Sequence, residues 1–142
     1  MLHLYAPHTV TLYYTVEDEI TFQQTNYITV LRGVLLDESK GYNVRASGIE
    51  GADAATLYIP FDVDADGKKY VSPKEFERAE DKSQLWTIDK GNNCFFVSGE
   101  VVWPESDFQH INLYFDNVYR VTKVDVKNFG SPSMRHFEVG GN

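Results

Sequence analysis

The stretch Thr56-Leu57-Tyr58-Ile59-Pro60-Phe61-Asp62-Val63 carries the cleanest alternation in the chain. Leu57, Ile59, Phe61 and Val63 share one parity, and Thr56, Tyr58 and Asp62 the other. A period of two is that of a strand with one buried face. Pro60 has no N–H to give to a ladder and so marks an edge or a strand end. Upstream, Val10, Leu12, Tyr14 and Val16 alternate with Thr11, Tyr13 and Thr15 in the same manner. Residues 27–36 form a nearly continuous apolar run instead, as expected of a central strand covered on both faces, with Gly33 as a bulge or a close approach.

Working outward, Glu17-Asp18-Glu19 is a polar turn, and extended structure resumes over 20–22. Residues 37–41 have turn chemistry, 42–47 a short strand and 48–54 a loop. Ser72-Pro73-Lys74-Glu75 is a helix start: the serine caps the first turn, proline suits the first position and the glutamate stands three residues on. A helix is expected over 73–81, with Phe76 and Ala79 facing the core. Residues 85–88 read as a strand joined by the turn Asp89-Lys90-Gly91-Asn92-Asn93 to a return strand on which Phe95, Val97, Val101 and Trp103 alternate. Within 104–114, Phe108 and Ile111 fit one face of a short helix. Over 118–127 the parity slips between Tyr119/Val121 and Val124/Val126, so a β-bulge near Thr122 or Lys123 would keep all four inside. A turn at 130–133, a last strand over 135–139 and a loose tail at 140–142 complete the chain. The expected fold is mainly β: one domain over 1–142, a small barrel or sandwich of about seven or eight strands, with one short helix inserted near 73–81.

Composition narrows the function classes. The 142 residues are 42% hydrophobic and 14% aromatic, with nine Tyr and nine Phe, which is too apolar for a disordered chain and favours strands. A net charge of −8 speaks against a basic stripe tracking nucleic-acid phosphates. The lone cysteine, Cys94, admits no internal disulfide, as expected of a reducing cytoplasm. The opening residues lack a basic segment followed by a long apolar one, and no apolar run approaches the roughly 20 residues of a bilayer span. Neither a secretory signal nor a membrane partner is therefore expected.

Three features bear on chemistry. Asp62-Val63-Asp64-Ala65-Asp66-Gly67 matches the start of an EF-hand loop, which makes Asp62, Asp64 and Asp66 candidate calcium ligands. The closing glutamate is missing from the twelfth position, where Pro73 stands, and a strand precedes the motif in place of a helix, so a solvated acidic turn is expected. Cys94 would need a base such as His110 or His136 to act as a nucleophile, and reads first as a small buried residue. His3, His8, His110 and His136 show no metal-ligand spacing, and no phosphate-binding, dinucleotide or nucleophile-elbow motif occurs. No catalytic residue, cofactor or resident metal is expected. Trp86 and Trp103 would serve a carbohydrate- or peptide-binding module if they lay on an open sheet face, but read first as core.

The residues from Leu31 onward resemble a family of short proteins encoded among the capsid and tail genes of tailed phages and prophages. The resemblance rests on Leu31-Arg32-Gly33-Val34, Leu57-Tyr58-Ile59-Pro60-Phe61-Asp62, Lys69-Tyr70-Val71-Ser72-Pro73-Lys74-Glu75-Phe76 and Asp116-Asn117-Val118-Tyr119-Arg120-Val121, and most distinctively on the segment from Phe129 to Gly141. The closing layout is similar to head–tail connector proteins of the head-closure, or stopper, kind: small β-barrels ending in a strand, a turn and a final strand. The helix after Ser72 departs from that pattern. The resemblance implies a virion protein of the neck, assembled in the host cytoplasm. Copies of the chain would form a ring against portal or adaptor and tail proteins, with DNA passing through the channel without sequence-specific binding. A tail-completion or minor capsid role is the neighbouring possibility. Within this picture 37–55 is the segment expected to reach a neighbour or the channel lumen, with Lys40, Tyr42 and Arg45 as contact residues; an ordinary surface hairpin is the alternative.

Overall fold

The computed structural model describes residues 6–38, 55–91 and 93–142. Among these, the elements run β1 (His8–Glu17), β2 (Gln24–Glu38), β3 (Ala55–Pro60), β4 (Lys69–Tyr70), α1 (Pro73–Arg78), β5 (Leu85–Trp86), β6 (Cys94–Ser98), α2 (Phe108–Tyr114), β7 (Val118–Lys127), a 3₁₀ turn (Pro132–Met134) and β8 (His136–Gly141). Six strands close an antiparallel barrel in the order β1-β2-β3-β8-β7-β6, with β6 pairing back onto β1. Of the two architectures expected, barrel or sandwich, the protein is the small β-barrel, with a short helix inserted at Pro73–Arg78.

The barrel interior is filled by Leu12, Tyr14, Leu31, Leu57, Ile59, Phe96, Val121 and Val139, all buried. Burial of each such large side chain contributes about 1.5–3 kcal/mol. Two bulges keep the pattern inside. Gly33, at φ +89°, lets the partner of β1 step from Arg32 at Thr9 to Val34 at His8, so that buried Leu31 is followed by buried Val34 and Leu36. In β7 the register shifts between Val121 and Lys123, which brings Val124 into the core packing. Val126, expected inside, is 57% exposed near the strand's end.

The connection from β3 to β6 crosses one end of the barrel and plugs it. Its Phe76, on α1, is fully buried and meets Tyr14 and Tyr27 edge-on at 5.3 and 5.2 Å between ring centroids. Tyr70 and Trp86 pack against Phe137. The helix begins as expected, with Ser72 Oγ accepting from the Glu75 N–H at 3.3 Å, but it stops at Arg78, with Ala79 as its extended C-cap. The predicted 85–93 hairpin is overturned: β5 pairs in parallel with β4, which was not foreseen, and β6 lies between β1 and β7. Residues 20–22 also differ from expectation, forming a turn and not a strand.

The segment between β6 and β7 folds back over the outside of the barrel. Beneath it Tyr13, Phe95, Val97, Val101, Ile111 and Val118 form a second apolar cluster. This is why β1 buries both faces, Thr11 and Tyr13 as well as Leu12 and Tyr14. It also corrects the expected return strand, which ends at Ser98 before Gly99 turns at φ +93°. Val101 and Trp103 belong to this outer flap. Side chains of β1 substitute for a ladder: Thr11 Oγ1 donates to Gly99 O at 2.7 Å and accepts from the Val101 N–H at 2.8 Å. Tyr13 Oη donates to Val101 O at 2.5 Å and accepts from the Trp103 N–H at 2.9 Å. Gly140 and Gly141, expected in a loose tail, are the last residues of β8 and pair with both β3 and β7.

Candidate functional site

The acidic loop after β3 is part of the plug. Asp64 exchanges two backbone hydrogen bonds with Arg32 on β2, at 2.8 and 3.2 Å. This covers an edge that β3, pairing only with the C-terminal end of β2, leaves open. Asp66, at φ +57°, and Gly67, at φ +78°, turn the chain, and Asp64 Oδ1 accepts from the Asp66 N–H at 3.2 Å. The Asp66 carboxylate forms an ion pair with the Arg32 guanidinium, which also holds Glu100 of the flap. Both partners raise the arginine's affinity for its proton. Lys68 Nζ donates to Ile28 O at 2.6 Å, and burial pushes the pKa of this ammonium down. Asp64 and Asp66 thus serve the turn and Arg32. Among the described residues no three carboxylate, imidazole or thiolate groups converge as a metal requires.

Cys94 faces the barrel interior and is fully buried. Burial is the main cause of a thiol pKa pushed up to about 12, and the charge of Asp89 adds to it. A thiol so placed is a poor nucleophile. The two histidines considered as its base lie in other surroundings: His110 packs against Trp103 and Tyr114, and His136 against Tyr58. His8 is exposed, and its Nδ1 accepts from the Leu36 N–H at 3.0 Å. Trp86 is core, in the plug, whereas Trp103 is half-buried on the flap.

A polar groove of about 710 Å³ runs between the flap and the outer face of the barrel, with Gln24, Asn26, Glu105, Asp107, His110 and Arg120 among its walls. Its polar groups are largely engaged in holding the flap. Asn26 Nδ2 donates to Pro104 O at 3.0 Å and Ser106 O at 2.8 Å. Asp107 caps α2 by accepting from the His110 N–H at 2.8 Å. The Arg120 guanidinium lies 4.0 Å from the centre of the Phe108 ring, and its Nε is buried without a hydrogen-bond partner.

The exposed apolar side chains are distributed unevenly. Among the described residues nine large hydrophobic side chains are exposed, and six of them, Ile20, Phe22, Phe61, Val126, Phe129 and Met134, lie around the plugged end. The other three, Val102, Leu113 and Tyr114, lie on the flap, where Tyr114, His110 and Trp103 contact one another. Apolar side chains gathered in this manner mark interaction surfaces more often than scattered ones do. The sequence read residues 20–22 as strand and so missed this end. The available signal was an isolated Ile and Phe set among polar residues directly after Glu17-Asp18-Glu19. Lys40, Tyr42 and Arg45, the expected contact residues, lie outside the described residues. A family model described as "Family of unknown function (DUF6751)" matches residues 5–142. No curated protein and no solved structure matches the chain.

Proposed function

The chain belongs to this family of unknown function, and we propose, from its resemblance to head–tail connector proteins, that it is a non-catalytic structural subunit of a tailed-phage or prophage neck. In this role it is a head–tail connector of the head-closure kind, in which copies form a ring between portal or adaptor and tail and retain packaged DNA. The observation that carries the proposal is the contrast between a closed, plugged barrel and an apolar rim. The groups most able to do chemistry are buried, like Cys94, or engaged, like Asp66, while large apolar side chains stand exposed around one barrel end. That arrangement suits a rigid part that meets other proteins through its turns. A net charge of −8 would weaken adhesion to DNA sliding past.

The test is genetic and structural together. Deleting the gene from the phage or prophage that carries it should give filled heads that lack tails and lose DNA, and mass spectrometry should find the chain in intact particles. Normal tailed particles from the deletion would remove the neck role. A different class is favoured by one observation, the half-exposed Trp103 beside Tyr114, which offers a stacking face to a sugar. Titration with oligosaccharides while tryptophan emission is followed separates the two, since a connector gives no saturable change.

A further inference from the structure

We propose that the β1–β2 turn of one copy docks on the β7–β8 turn of the next, so that the two turns are the complementary halves of one repeated, head-to-tail subunit contact. This rests on the ring reading above and names its interface. Both turns lie at the plugged end, since antiparallel closure puts the end of β1, the start of β2, the end of β7 and the start of β8 on the same rim. In the order β1-β2-β3-β8-β7-β6 the two turns stand three strand positions apart in a ring of six, hence on opposite sides. Two different surfaces on opposite sides of a subunit are what a heterologous contact needs, and such contacts close into rings when the rotation permits.

Each turn is built to present apolar groups. In the first, Asp18 Oδ1 accepts from the N–H groups of Ile20 and Thr21 at 2.8 and 3.0 Å, and Phe22 N–H donates to Asp18 O at 2.8 Å. The bonded turn holds Ile20 at 87% exposure and Phe22 at 71%, the latter at φ +60°, a conformation that disfavours a side chain. Its hairpin also projects, because the last β1–β6 pair is Tyr14–Cys94 while β1 and β2 stay paired to Glu17–Gln24. The second turn is fixed by the 3₁₀ turn, by Gly130 at φ +82° and by a 2.8 Å bond between His136 Nδ1 and Met134 O. It presents Phe129 at 69% exposure, with Met134 and Phe61 beside it in the same rim.

Charge selects the occupant. Residues 17–23 contain Glu17, Asp18 and Glu19 and no cation. Residues 127–136 contain Lys127 and Arg135 and no carboxylate. Lys127 is partly satisfied by Glu138 of its own copy at 3.5 Å, and Arg135 is half-buried, with its Nε fully buried, so the positive charge of this turn rests chiefly on Lys127 and the outer part of the Arg135 guanidinium. An acidic apolar tip and a basic apolar tip fit each other, and each would repel or merely ignore its own kind. A second copy of this chain supplies both.

Cysteine cross-linking tests the proposal cleanly, because native Cys94 is buried. The full chain carrying both Ile20→Cys and Phe129→Cys should give, under mild oxidation, a ladder of disulfide-linked species reaching beyond the dimer. A mixture of the two single variants should stop at dimers containing one of each, and either single variant alone should stay uncross-linked. Should Phe129→Cys prevent folding, as read by circular dichroism, Met134→Cys takes its place. Dimers from one single variant alone would mean a two-fold contact and overturn the proposal, as would the absence of any ladder. If light scattering finds multimers of the unaltered chain but no ladder forms, this interface falls and the ring reading stands. If the chain is also monomeric, both fall.

Discussion

Gly141 has no room for a side chain. A Cβ there would lie 2.8 Å from Phe96 Cζ and 2.8 Å from Tyr119 Cβ, so the strand that closes the barrel reaches its neighbours only as glycine. Gly141→Ala should lower stability by about 1–3 kcal/mol through overpacking, read as a lower urea midpoint with an unchanged slope. Composition made Gly140-Gly141-Asn142 look like a tail; the side chains that demand glycine, Phe96 on β6 and Tyr119 on β7, are distant in sequence and invisible locally. A second prediction concerns alkali. Burial raises the folded-state pKa of Cys94 from 9.0 to about 12 and of Tyr14 from 10.0 to about 12. Both are acids that ionise first in the unfolded chain, so their share of stability is complete below pH 9.0 and is lost as pH climbs towards 12. Urea midpoints measured from neutral pH upward should fall across that window, and in Cys94→Ala the fall should begin about one pH unit later, where tyrosine starts to ionise. The same burial should leave Cys94 unreactive towards a thiol reagent until the chain unfolds.

The flap shows how far alternation carries and where it stops. The six barrel strands and both bulges were legible, because period two and its slips at Gly33 and near Thr122 report directly on which side chains face inward. Pairing was not legible. Leu85 and Trp86 join β4 and not β6, and the residues after Ser98 leave the barrel to cover β1, because such partners are chosen over long sequence separations. Tyr13 is the residue that this covering depends on: stacked on Phe95 at 4.6 Å and bonded to two backbone groups of the flap. Tyr13→Phe keeps the stacking and strands Val101 O and the Trp103 N–H, so a loss of about 1–3 kcal/mol is expected, with faster hydrogen exchange at the Trp103 amide. The acidic loop of the plug was recognised as a motif, but the Asp66 carboxylate is committed to Arg32, a partner 34 residues away, and that of Asp64 to the turn's own backbone. Calcium or a chelator should leave the melting midpoint unchanged, since an ion that binds the folded state raises it; a rise with calcium would return Asp62, Asp64 and Asp66 to consideration.

Taken whole, the molecule is a barrel sealed at one end by its own connection, carrying a flap on one side and apolar turns around the sealed rim. The six rim side chains are costly for a protein that stays alone, since exposed apolar surface of this kind invites association. They are easily explained if the rim is covered by another copy. The most direct measurement is the mass of the unaltered full chain in solution, by size exclusion with light scattering over a dilution series. The account predicts a species at a multiple of 16.2 kDa that persists or grows with concentration. A single species of 16.2 kDa at every concentration would contradict it.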